Sequence, residues 1–167
     1  MQELVLNIIN TNHNNLFVYN RLSENSVKHL KIQSNLVPNT AGLYLVFCRE
    51  NICKANSHLK FEINNINHTL LYFGKAGGTT HSGKIITQGL NGRINNVVSD
   101  SKHNLKDVKR ANYWTIVMTE YQIETLYVIY YPYQDPQSLE NVIYNFLDVN
   151  NLVYPLMNKK RGRYNIL

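Results

Sequence analysis

Gly42-Leu43-Tyr44-Leu45-Val46-Phe47 is a six-residue apolar and aromatic run headed by a glycine and set off by Pro38-Asn39-Thr40. A run this short, rich in branched and aromatic residues, favours a buried strand over a helix. Downstream, Leu59 to Ile63, the turn-like Asn64-Asn65-Ile66-Asn67 and His68-Thr69-Leu70-Leu71-Tyr72-Phe73-Gly74 read as a hairpin. Tyr113 to Met118 and Thr125 to Tyr130 carry strand-forming residues and extend the sheet. Glycines interrupt Ala76 to Gly89, which reads as a loop. Leu90, Ile94, Val97 and Val98 then share one helical stripe, with Arg93 beside it. Asp135-Pro136 supplies an N-cap and a first-turn proline for a helix running to about Val149. On that helix Leu139, Val142, Ile143, Phe146 and Leu147 form an apolar arc, and Glu140 lies at its edge. The expected fold is α/β (α+β), a small mixed, mainly antiparallel sheet flanked by helices. Residues 1–40 read as an N-terminal extension, and 41–167 as one domain with an inserted hairpin and a basic tail.

The chain has 167 residues, enough for one domain, and 44% of them are hydrophobic, which excludes a wholly disordered chain. No run reaches the eighteen or so apolar residues of a membrane span, and the N-terminus has no basic and apolar leader pattern. No membrane association and a cytoplasmic location are therefore expected. Cys48 and Cys53 have no second Cys or His pair at zinc-finger spacing and read as ordinary reduced thiols. Seventeen basic against eleven acidic residues give a net charge of +6, which favours a polyanionic partner.

Gly78-Thr79-Thr80-His81-Ser82-Gly83-Lys84 matches the opening of a phosphate-binding loop, but Ile85 stands where that motif needs a hydroxyl to hold Mg²⁺. No nucleotide cofactor is expected. A stronger signal joins Gly42-Leu43-Tyr44, Tyr72-Phe73-Gly74-Lys75-Ala76, Gly89-Leu90-Asn91-Gly92-Arg93, Leu139-Glu140, Pro155 and Asn158. In that order, from about Ala41 to Asn158, the chain resembles the GIY-YIG nuclease family. The family pattern places a tyrosine in each of two neighbouring strands, then Gly-Lys/Ser-Ala, then Leu-x-x-Arg, and later a helical Glu followed by Pro and Asn. Leu43 and Phe73 stand in place of isoleucines, the Tyr44 to Tyr72 interval is long, and Val97 occupies a position where many members carry His or Tyr.

The resemblance implies phosphodiester hydrolysis, in which charge grows on the phosphoryl oxygens and on the leaving oxygen. It makes Tyr44, Tyr72, Lys75, Arg93, Glu140 and Asn158 the expected catalytic set, with Glu140 holding Mg²⁺, for which Mn²⁺ can substitute. Arg93 would grip the scissile phosphate through its planar donors. Tyr44 would act as the general base, which a phenol of ordinary pKa near 10 does only with a cation beside it, and Lys75, one residue beyond Gly74, is the expected positive neighbour. Tyr72 would position water or phosphate, and Asn158 would orient Glu140 or its loop.

Double-stranded DNA is the expected partner. Lys102, Lys106, Lys109 and Arg110 form one basic cluster, and Lys159, Lys160, Arg161 and Arg163 a second, each a candidate phosphate contact. Within the family, a sequence-specific type II restriction endonuclease is expected, acting as a homodimer because each subunit's site cuts one strand. Homing, repair or mobile-element nucleases are the alternatives, as is a noncatalytic nucleic-acid-binding module.

Overall fold

A computed structural model describes residues 2–11, 15–20, 36–51, 59–79, 82–99, 118 and 121–158. Within them the order is α1 (Gln2–Thr11), β1 (Leu16–Asn20), β2 (Gly42–Arg49), β3 (Lys60–Ile63), β4 (Ile66–Ala76), α2 (Leu90–Ser99), β5 (Thr125–Pro132) and α3 (Pro136–Val149). The strands form one sheet in the order β1-β5-β2-β4-β3. Both basic clusters, His81 and residues 113–117 of the strand expected over Tyr113 to Met118 lie outside the described residues, as does the side chain of Val97, while Met118 itself is helical and not part of a strand.

Every strand pairing in this sheet is antiparallel, which corrects the expectation of a mixed sheet. The reason lies in the connection through α2. It links β4 to β5, but β2 lies between these two strands and pairs with both. The β3–β4 hairpin closes through Asn64 and Asn65 at φ 52° and 59°, the two left-handed residues that a two-residue hairpin turn of type I′ requires.

Alternation along β2 creates two cores. Tyr44, Val46 and Cys48 face one, with Leu90 and Ile94 of α2, Val128 of β5 and Met157. Leu43, Leu45 and Phe47 face the other, with Ile143 and Leu147 of α3. Gly42 makes room for α2, since a Cβ there would stand 2.5 Å from Leu90 Cδ1 and 2.4 Å from the Tyr131 carbonyl oxygen. In β4 the alternation is broken once. Val46 pairs with Tyr72 and Phe47 with Leu70, so Leu71 is an extra residue, a β-bulge. Leu71 and Tyr72 consequently pack on the same core, while Leu70 and Phe73 belong to the opposite one.

The segment read from sequence as an extension supplies part of this architecture. Val5, Ile8 and Ile9 of α1 are buried in the α3-side core, and β1 is an edge strand paired along its whole length with β5. Helix α3 begins as expected, with the Asp135 carboxylate accepting from the Ser138 amide at 3.3 Å. Its buried face differs from the expected arc. Ile143 and Leu147 are fully buried, but Val142 is 46% exposed. Tyr144 is turned inward instead, its ring 4.6 Å from that of Phe73. The expectation of reduced thiols also fails for Cys48, which is disulfide-bonded. The only other cysteine, Cys53, lies outside the described residues.

At the far end of the sheet His68 is almost completely buried, its Nδ1 2.7 Å from the Ile66 carbonyl oxygen and its Nε2 without a partner. Its ring meets Tyr127 edge-on, and the Arg49 guanidinium lies over Tyr127. Burial, reinforced by Arg49 and opposed by the Ile66 bond, holds the pKa of His68 below 6.5. As pH falls below about 6.5 the unfolded chain takes up this proton before the folded one, so stability is lost on acidification through that window. We expect His68→Phe, which keeps a ring against Tyr127 and cannot titrate, to flatten the fall in urea midpoint between pH 7.5 and pH 5. Identical pH slopes for the two proteins would show that His68 is not the group responsible.

Candidate active site

Tyr44 and Tyr72 are brought together by the antiparallel pairing of β2 with β4, which sets Tyr72 opposite Val46 on the α2 side. Their ring centroids are 5.5 Å apart, and the Tyr44 hydroxyl donates to the Tyr72 hydroxyl at 3.4 Å, a long hydrogen bond. Gly74 follows on the same face. A Cβ at Gly74 would stand 2.6 Å from the Tyr72 hydroxyl, so the ring of Tyr72 occupies the space a side chain would take.

Arg93 arrives from the first turn of α2, whose start is fixed by Leu90 N–H donating to the Thr40 carbonyl at 2.8 Å and by Asn91 Nδ2 donating to the Val37 carbonyl at 3.1 Å. Its charge interacts with Tyr44 and Tyr72, and its Nε is buried without a protein partner. Burial acts to lower the pKa of Arg93, but Tyr44, Tyr72 and Glu140 outweigh it and raise the value, so the guanidinium is permanently charged. Tyr72 is pushed well above the ordinary tyrosine value, first by burial and then by Tyr44 and Glu140, with Arg93 opposing. At neutral pH it is therefore a phenol, able to donate a hydrogen bond. Glu140, partly buried on α3, is close enough for its charge to act on both Tyr72 and Arg93. Four of the six expected residues thus form one electrostatically connected group.

The other two are placed differently. Lys75 lies opposite Leu43 on the α3 side of β4, where its ammonium donates to the Thr79 carbonyl at 2.9 Å and to Gln137 Oε1. The cation that interacts with Tyr44 is Arg93, in the place expected for Lys75. Asn158 is a clamp on β4. Its Oδ1 accepts from the Phe73 amide at 2.9 Å, and its Nδ2 donates to the Phe73 carbonyl at 2.8 Å and to the Tyr144 hydroxyl at 3.3 Å. It fixes the strand segment between Tyr72 and Gly74 and ties it to α3, one helical turn beyond Glu140.

Gln137, Asn141 and Tyr144 escaped the reading of the sequence. Gln137 holds Lys75 and donates to Asn141 Oδ1 at 3.0 Å. With Glu140 they occur at i, i+3, i+4 and i+7, a polar stripe on a helix otherwise read only for its apolar arc.

Among the described residues no cluster of three or more His, Cys, Asp or Glu side chains offers the protein-rich ligand set of a zinc centre. A single carboxylate beside a guanidinium and two phenols suits Mg²⁺, which keeps several waters and takes substrate phosphate oxygens as ligands. No helix of the described residues is long and apolar enough to cross a membrane. Comparison with protein-family models, curated proteins and solved structures finds no match to this chain.

Proposed function

We propose that the chain is a metal-dependent endonuclease of the GIY-YIG type that hydrolyses phosphodiester bonds in double-stranded DNA. The observation that carries the reading is the convergence of Tyr44, Tyr72, Arg93 and Glu140 from two strands and two helices into one charge-coupled group. Packing alone gives no reason to set a partly buried guanidinium beside two tyrosines and a glutamate, and leaving its buried Nε–H unsatisfied costs about 1–3 kcal/mol. A phosphoryl oxygen is the kind of acceptor that the planar donors of a guanidinium match.

In this mechanism Tyr44 acts as the general base in its phenolate form, which Arg93 stabilises, and on taking the proton of the attacking water it becomes the neutral phenol. Arg93 also donates to the phosphoryl oxygens as charge accumulates on them, and Tyr72, held as a phenol, donates to the phosphate or orients the water. Glu140 would hold Mg²⁺ or Mn²⁺, which would supply further neutralisation of the charge that develops on the phosphate and leaving group. Within this class we favour a sequence-specific type II restriction enzyme acting as a homodimer, since cutting both strands of a symmetric site takes one such group for each strand.

The test is incubation of the purified protein with plasmid and Mg²⁺, followed by sequencing of fragment ends. Discrete ends abolished by chelator are expected, and random ends would remove the restriction assignment. Tyr44→Phe keeps a buried ring and deletes one hydroxyl, so cleavage should fall about 10²–10⁴-fold while the circular dichroism spectrum is retained. Rates within a few-fold of wild type would remove Tyr44 as the general base.

A further inference from the structure

The loop that failed as a nucleotide site is a short two-stranded ribbon. The Gly77 amide donates to the Gln88 carbonyl at 2.8 Å, the Ile86 amide donates to the Gly78 carbonyl at 2.8 Å, and Thr79 and Ile85 form an antiparallel bridge. Gly77, Gly78 and Gly83 all have positive φ, which gives the segment its sharp reversals. Its root is tied once to β4 and once to the first turn of the helix that carries Glu140. Lys75 of β4 donates to the Thr79 carbonyl, and Gly78 lies against Pro136, where a Cβ would come within 3.3 Å of the ring. On the outgoing strand Lys84 is exposed and Ile85 is 72% exposed.

One exposed aliphatic side chain is ordinary by itself. Here it sits beside a lysine on a braced ribbon rooted four residues from Lys75 and at the start of the Glu140 helix. We propose, resting on the nuclease reading above, that this ribbon enters the major groove of the DNA next to the scissile phosphate, with Ile85 against a thymine methyl and Lys84 on the backbone. Paired strands lie about 4.8 Å apart, so a ribbon with its side chains fits the roughly 12 Å major groove and is too wide for the roughly 6 Å minor groove. The thymine methyl is the apolar feature of that groove, and Ile85 can read it without a hydrogen bond.

The experiment uses duplexes copied from one template with either thymine or uracil, which differ only in the methyl group. Mobility shifts in Ca²⁺ are measured beside cleavage in Mg²⁺. Wild type should bind and cut uracil DNA about fourfold less well for each thymine methyl that Ile85 covers. Ile85→Ala should lose a similar factor on thymine DNA and no longer distinguish the two substrates. Lys84→Gln should weaken binding to both equally and flatten the salt dependence by about one charge. Equal treatment of the two DNAs by wild type, or an Ile85→Ala protein that still distinguishes them, would overturn the groove contact and leave the nuclease reading standing. An unchanged salt slope for Lys84→Gln would remove the backbone contact. Wild type that neither binds nor cuts either DNA would remove the nuclease reading, and the ribbon's role with it.

Discussion

Glu140→Gln should lower single-turnover cleavage by about 10²–10³-fold or more while leaving DNA affinity in Ca²⁺ equal to or above wild type. The substitution keeps the length and helix propensity of the side chain and removes only its charge. That charge acts on Tyr72 and Arg93, so the carboxylate lies where the scissile phosphate would be held. Without it the site loses the one described carboxylate positioned to hold Mg²⁺, and cleavage should not recover on raising Mg²⁺ or Mn²⁺ tenfold. Binding should survive because an unmetallated carboxylate repels phosphate, and neutralising it removes that repulsion. If cleavage is unchanged and the thermal midpoint shifts little, Glu140 is a helix residue with no part in the reaction.

Arg93→Lys should be nearly as damaging, with kcat down by about 10²-fold and KM changed far less. The partly buried guanidinium interacts with Tyr44 and Tyr72, and its planar array of donors can serve a phenol and a phosphate together. A lysine presents one point of charge on a flexible stem and, when buried, surrenders its proton more readily. The variant should therefore also lose activity more steeply above neutral pH, where the ammonium deprotonates first. A lysine variant within about threefold of wild type, a loss of under about 0.7 kcal/mol, would mean that positive charge alone suffices and that the forked geometry is incidental.

The sequence was legible where the signals are local. Gly42 to Phe47, the Asn-Asn turn and the Asp135-Pro136 cap each carry their structural instruction within a few residues, and the corresponding elements form where expected. Strand β1 escaped because its partner β5 lies far along the chain and Leu16 to Asn20 is too short to announce itself. The disulfide at Cys48 escaped because spacing says nothing about which thiols approach one another. At the site, the order of the short motifs pointed to Tyr44, Tyr72, Arg93 and Glu140. The placement of Lys75 and the clamp made by Asn158 depend on which way β4 faces and on where its edge is left open, and neither is written in a motif.

The extra residue at Leu71 divides β4 into two reading frames. Upstream, the hairpin half pairs with β3 in one phase of in-and-out alternation. Downstream, Tyr72 and Gly74 follow the other. Deleting Leu71 would join the two into one regular strand, because Leu70 already pairs with Phe47 and Tyr72 with the adjacent Val46, so Tyr72 and Gly74 would keep the face they have. The offset is therefore a tolerated insertion: the strand takes in one more apolar side chain for the α2-side core, and the facing of everything downstream is set by the pairing with β2 and not by the count of residues in the hairpin.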